Sequence, residues 1–212
     1  TGNFGDIFAG YLAFRMGLPV DRLVLATNEN DILARFFNTG TYSAGPVKAT
    51  VSPSMDIQVA SNFERYLFYM TGGEGGRVDA MMKEFSAKGS FTLPMPAGAR
   101  GGDVIVAGSG NTGATLKTIR ETHQRTGYLM DPHTAVGAYV GSRHVSGDVP
   151  MICLATAHPA KFGETITEAI GKSIAGHDII DRLTGLPTRC KLLPSSVKEV
   201  RSYLEATLGD GK

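Results

Sequence analysis

The chain has 212 residues, with 21 Lys or Arg against 20 Asp or Glu, a formal charge of +1 and 42% hydrophobic residues. Near neutrality offers no basic stripe for neutralising phosphates, which argues against nucleic acid as the principal partner, and the hydrophobic content is too high for disorder. The most apolar runs, Met151–Ala157 and Val104–Ala107, fall far short of the roughly 20 residues that cross a bilayer, so no membrane span is expected.

Cysteine occurs twice, at Cys153 and Cys190, without CxxC spacing. That usage predicts a reduced, cytoplasmic protein with neither a disulfide framework nor a cysteine zinc site. The length suits one domain, or one and a half at roughly 150 residues each. The opening Thr1-Gly2-Asn3-Phe4-Gly5-Asp6 reads as a turn between a strand and a helix. The strand is expected upstream, and the chain is read as a fragment.

Apolar spacing predicts a helix over Ile7–Met16, stopped by Gly17. Arg22–Thr27 is a nearly continuous apolar run of the kind a buried parallel strand carries. A turn at Asn28–Asn30 leads to a helix over Asp31–Phe37, closed by Asn38-Thr39-Gly40. From Thr41 to Gly102 the pattern loosens, and this section is expected to be an irregular and helical insertion on a regular α/β framework. Within it, Ser61 and Glu64 have the capping-box spacing for a helix over Ser61–Tyr69, a second helix is expected over Val78–Ser86, and Pro94–Gly102 is rich in proline and glycine.

Asp103–Ala107 is the next strand, Thr112–Arg125 the next helix, and Asp131-Pro132 a helix start with an N-cap and a first-turn proline. Val149–Thr156 reads as the clearest buried strand. A helix is predicted from Pro159 to about Ile170, and a last one over Val197–Leu208. Alternating strands and helices imply an α/β fold, a mostly parallel sheet with helices on both faces.

Ligands in such sheets sit beyond the carboxyl ends of strands, where loops enter helices. Three loops qualify. In Thr1–Asp6, two glycines let the backbone curl and the following helix directs amides to one point, which suits a phosphate or makes a plain tight turn. Gly108-Ser109-Gly110-Asn111-Thr112-Gly113 matches the dinucleotide fingerprint and would support a nicotinamide-dependent oxidoreductase. However, Asp131 sits at a helix start instead of a strand end, and Ser109 or Asn111 serves as an ordinary cap.

The third loop, Thr156-Ala157-His158-Pro159-Ala160-Lys161, gathers a hydroxyl, an imidazole and an amine at a strand end. There Thr156 is favoured as functional, while His158 and Lys161 read equally well as a local cap and a solvated charge. Arg65 could bind an anion, but a pairing with Glu64 or Asp56 is the expectation. Ser52–Asp56 is polar and could contact a ligand, but its composition is that of a solvated turn. The five histidines show no i, i+4 pair, so no metal site is expected.

Taken in order, Thr1-Gly-Asn-Phe-Gly-Asp6, Ala26-Thr-Asn-Glu-Asn-Asp-Ile32, Ser52-Pro-Ser-Met-Asp-Ile57, Ser61-Asn-Phe-Glu-Arg65, Asp131-Pro-His-Thr-Ala-Val136 and Thr156-Ala-His-Pro-Ala-Lys161 resemble the threonine synthase family. These are pyridoxal 5'-phosphate enzymes of the tryptophan-synthase-β-like fold, fold type II. The resemblance covers only the C-terminal half of such an enzyme.

It implies that Gly2, Asn3, Phe4, Gly5 and Asp6 surround the cofactor phosphate, largely through backbone amides. It also implies that the Thr156 hydroxyl meets the pyridine nitrogen. The implied reaction, a carbon–oxygen lyase step of threonine biosynthesis in the aspartate family, turns O-phospho-L-homoserine and water into L-threonine and phosphate. The family's Schiff-base lysine lies upstream of the glycine loop, so no catalytic residue is assigned within this chain. The chain is expected to be inactive without the N-terminal half as its partner. The alternative is a non-catalytic phosphate-binding module of the same fold.

Overall fold

The computed structural model describes residues 1–93 and 104–209. The Pro- and Gly-rich stretch at 94–102 and the expected strand start at 103 lie outside the described residues. The chain divides into two units, Thr1–His177 and Asp178–Lys212.

The first unit is built on a parallel strand pair. Strand β1 (Leu23–Thr27) runs beside β4 (Ile105–Ser109), with Leu23 opposite Ile105 and Thr27 opposite Ser109. Both are short and apolar, as strands covered by helices must be. Helices α1 (Gly5–Arg15) and α6 (Pro132–Ser142) pack against β1, and α2 (Ile32–Thr39) packs against both strands. The parallel order and the packed helices make this an α/β fold.

Between β1 and β4 the chain forms a second layer. Strands β2 (Thr41–Ser43) and β3 (Ser90–Thr92) pair antiparallel, with Tyr42 opposite Phe91. Helices α3 (Phe63–Met70) and α4 (Gly75–Lys88) lie between them in sequence. Their buried faces meet α1 and α2 in an aromatic core of Phe4, Phe8, Tyr11, Phe36, Tyr42, Phe63, Tyr66, Phe85 and Phe91. Ring pairs such as Phe36 with Phe63, centroids 4.8 Å apart at 75°, take the edge-to-face geometry that aromatic quadrupoles favour.

A separate core joins α5 (Thr112–Thr126), α6 and α7 (Gly163–Ile170) through Ile119, Met130, Ala135, Ile166 and Ala169. The second unit holds the one-turn α8 (Asp178–Asp181) and α9 (Val197–Leu208). The Ser196 side chain caps α9, and Lys191 lies 4.3 Å from the Tyr203 ring centroid. No helix among the described residues is long and apolar enough to cross a membrane.

Two local expectations are overturned. The run over Val149–Thr156 is not a buried strand: it joins no strand ladder, and Ile152 is 79% exposed. Apolar composition makes a strand only where a neighbour completes the ladder, and no described strand lies beside it. It follows α6 instead, with the Cys153 thiol 3.8 Å from the Thr134 carbonyl. Nor do Ser61 and Glu64 form a capping box. Helix α3 begins at Phe63 after Asn62, because Asn3 Oδ1 accepts both the Ser61 amide, at 2.5 Å, and its hydroxyl, at 2.9 Å.

Candidate active-site cleft

The turn entering α1 is set by one strained residue. Phe4 has φ 63°, the left-handed region that side chains other than those of glycine and asparagine seldom occupy. It is fully buried, with its ring 5.4 Å from Phe63 and 5.9 Å from Phe37, so core packing overrides a local cost of order 1 kcal/mol. No side chain caps the start of α1. Its first-turn amides and positive dipole end therefore stand ready for an anion.

The loop is braced against its surroundings. A Cβ on Gly2 would lie 2.4 Å from the Ser54 carbonyl oxygen and 2.9 Å from Met55 Cα, so only glycine allows the two backbones to approach this closely. Asn3 spends its side-chain oxygen on Ser61, and Asn62 Nδ2 donates to the Asn3 carbonyl at 3.0 Å. Asn3 thus ties the loop to the front of α3, while its main-chain amide belongs to the turn.

Thr156 lines the same cleft. Its amide donates to the Thr134 hydroxyl at 3.2 Å, and Thr134 Oγ1 in turn donates to Asp131 Oδ2. Asp131 caps α6 as its sequence predicts, accepting from the His133 amide at 2.9 Å and the Thr134 amide at 3.3 Å. Burial would raise its pKa, but these hydrogen bonds from His133 and Thr134 hold the carboxyl below its ordinary value. His133 Nδ1 lies 3.0 Å from Asp131 Oδ1, and its Nε2 accepts the Ser54 amide at 3.2 Å.

Gly2, Asn3, Gly5, Asp6, His133 and Thr156 line one cleft of about 810 Å³, walled elsewhere by apolar residues of 18–24 and 149–154. The phosphate-suited loop and the threonine that sequence reading singled out are therefore brought together. Phe4 is held in the core behind the loop. Its contribution is backbone geometry.

The Ser52–Asp56 turn is not a solvated loop. Ser52 is buried, and Asp56 accepts from Asn28 at 2.7 Å, Asn30 at 3.0 Å and Thr50 at 2.7 Å and 2.8 Å. With Asp56 so committed, the expected Arg65 pairing fails, and exposed Arg65 makes no ion pair among the described residues. His158 takes the local role, its Nδ1 accepting the Ala160 amide at 3.2 Å. Lys161 is exposed in the short 3-10 turn Pro159–Phe162.

The Gly108–Gly113 motif does structural work. Cβ atoms on Gly108 and Gly110 would fall 2.9 Å from Val140 and 2.8 Å from Tyr139, so these glycines let α6 pack on β4. Asn111 caps α5. Asp131, 1% exposed and saturated with hydrogen bonds, is not placed to grip a ribose. No cluster of metal-ligating side chains occurs among the described residues. Sequence reasoning missed the reach of the α6 cap to Ser54 and Thr156, and the Asn3–Ser61 clamp. Adjacency of Asp, His and Thr in the cap was the available signal for the first.

The threonine synthase of Pseudomonas aeruginosa is 40% identical to this chain over 214 aligned residues, covering 100% of the chain and 46% of that protein. The crystal structure of threonine synthase from Brucella melitensis with bound pyridoxal phosphate superposes with a TM-score of 0.87 at 41% identity, over 97% of this chain and 44% of its own. The chain matches the C-terminal part of threonine synthases in both sequence and fold. The yeast threonine synthase structure agrees, with a TM-score of 0.86 at 33% identity over 99% of this chain and 46% of that one. The family model for the C-terminal part of threonine synthase matches residues 134–204, which takes in Thr134 and Thr156. The fold is therefore that of the fold type II pyridoxal phosphate enzymes, in part, since the chain spans under half the length of the threonine synthases it matches.

Proposed function

We propose that this chain is the cofactor-cradling part of a threonine synthase, acting with an N-terminal portion such as its relatives contain. The observation that carries the reading is the shared cleft, lined both by the uncapped helix start that follows the left-handed Phe4 and by Thr156. The Brucella melitensis threonine synthase holds pyridoxal phosphate in its crystal structure, and the residues here suit that cofactor.

Gly2, Asn3, Phe4, Gly5 and Asp6 form the phosphate cradle, with the amides of the turn and the α1 dipole as the attracting groups. Asp6 is an acid in the first turn of α1, where it favours the helix dipole and orders the loop instead of touching the phosphate. Thr156 presents a hydroxyl to the pyridine nitrogen. A neutral hydroxyl donates to an unprotonated nitrogen, where a carboxylate would draw a proton onto it. When bound, pyridoxal phosphate supplies the electron sink that carbon–oxygen lyase chemistry on O-phospho-L-homoserine demands.

This chain's part is to bind and orient. The base that moves protons, conventionally a lysine, is assigned to the N-terminal portion, and Lys161 does not replace it. The overall conversion is O-phospho-L-homoserine and water to L-threonine and phosphate. A cytoplasmic setting fits two free cysteines.

The test adds pyridoxal phosphate to the chain alone and to the chain co-expressed with the N-terminal portion of a relative. Cofactor absorbance and phosphate release from phosphohomoserine are recorded. Release by the pair but not by the chain supports the reading. Cofactor binding by the pair without release removes the substrate assignment, and the chain is then a binding module.

A further inference from the structure

We propose that Asp131 is the common origin of both ends of the cofactor site, positioning the phosphate loop through His133 and Ser54, and Thr156 through Thr134. The second half of this rests on reading Thr156 as the partner of the ring nitrogen.

The hydrogen-bond directions follow from chemistry. An ionised carboxylate only accepts, so the proton between Asp131 and Thr134 belongs to the Thr134 hydroxyl, whose lone pairs must then receive the Thr156 amide. In the same way His133 must carry its hydrogen on Nδ1 toward Asp131, because Nε2 accepts the Ser54 amide. The imidazole is neutral and its tautomer is fixed from both sides. The Phe162 ring, 4.9 Å away, packs against it, and His133 is only 6% exposed.

Ser54, so held, is the wall that Gly2 meets without room for a Cβ. One carboxylate therefore sets two distances: from the α6 cap to the glycine loop, and from the same cap to Thr156. Asp131 and Thr134 are positioning residues, acting on the cofactor through Ser54, Gly2 and Thr156.

The experiment is solution NMR on the chain with histidine and backbone 15N labels, comparing wild type with T134V, T134S and D131N. In wild type, His133 is expected neutral, with a proton on Nδ1 and a pyridine-like Nε2. T134V should speed exchange of the Thr156 amide about tenfold, the equivalent of one net hydrogen bond, and leave the Ser54 amide unmoved. T134S should restore Thr156, a rescue that general loosening would not give. D131N should displace both amides, and if that variant does not fold the Thr134 pair decides the matter.

Unchanged Thr156 exchange in T134V, or a proton on Nε2 of His133 in wild type, overturns the proposal. Pyridoxal phosphate is then titrated into the wild-type sample. If it shifts the Gly2–Asp6 amides but not Thr156, the ring-nitrogen reading fails while the phosphate half of the positioning scheme stands.

Discussion

The sharpest prediction concerns one methyl group. In Gly2→Ala the new Cβ meets the Ser54 carbonyl oxygen at 2.4 Å and Met55 Cα at 2.9 Å, more than 0.5 Å inside ordinary contact in both cases. Both neighbours are backbone, so neither can rotate away. Ser54 cannot retreat cheaply either, because its amide is bonded to His133. The glycine loop must move instead, at the upper end of the about 1–3 kcal/mol that overpacking costs.

Since the displaced amides are those assigned to the cofactor phosphate, affinity for pyridoxal phosphate should fall at least about tenfold, with each factor of ten worth ~1.4 kcal/mol. Gly5→Ala is the control. Its Cβ lies 3.4 Å from Asn62 Nδ2, the end of a side chain that can adjust, and alanine suits a helix better than glycine. Urea melts and fluorescence titration of the cofactor measure both variants. Equal affinity in Gly2→Ala and wild type would show that the cradle does not depend on this close approach.

Thr156→Val should leave phosphate anchoring intact and reduce turnover of the reconstituted enzyme, read as a lower kcat with cofactor affinity within about twofold. An affinity loss as large as that of Gly2→Ala would contradict the division of labour between loop and threonine. Asp131 titrates below its ordinary value in the folded chain, so folding favours its ionised form. Its contribution is complete above the unfolded carboxylate range near pH 4 and is lost as pH falls through that range toward the folded value. Urea midpoints at pH 7 and pH 3 should converge between wild type and Asp131→Asn at the lower pH. Gly110→Ala, clashing with the Tyr139 ring at 2.8 Å, should cost about 1–3 kcal/mol, whereas Gly113→Ala, 3.6 Å from Asn111, should be nearly neutral in the same melts. Detectable NADH binding that Gly110→Ala abolished would revive a dinucleotide role for that loop.

Much of the framework is legible because it is local. Asp131 followed by Pro132 announces α6, and α9 spans Val197–Leu208 as expected. The glycine loop and Thr156 are also legible as turns at strand ends, and both line the same cleft; their roles toward a phosphate and a ring nitrogen are what the family resemblance implies and what is proposed. What escapes is decided at a distance. Ser61 has the spacing of a cap, but Asn3, 58 residues away in sequence, claims it. Val149–Thr156 has the composition of a buried strand, yet composition cannot supply the neighbour that would bury it. The bond from Ser54 to His133 spans 79 positions and leaves no periodic trace.

The left-handed turn at Phe4 has a consequence for ligand entry. Because the ring that forces the turn is locked among Phe8, Phe37, Phe63 and Tyr66, the anion-binding backbone needs no further ordering when a phosphate arrives. The entropy of shaping the loop is spent during folding, so it is not subtracted from affinity. On the proposed reading of the loop as a phosphate cradle, tightness of cofactor capture is linked to aromatic packing behind the cleft. Truncating Phe37 or Phe63, neither of which lines that cleft, would loosen the grip on phosphate from behind.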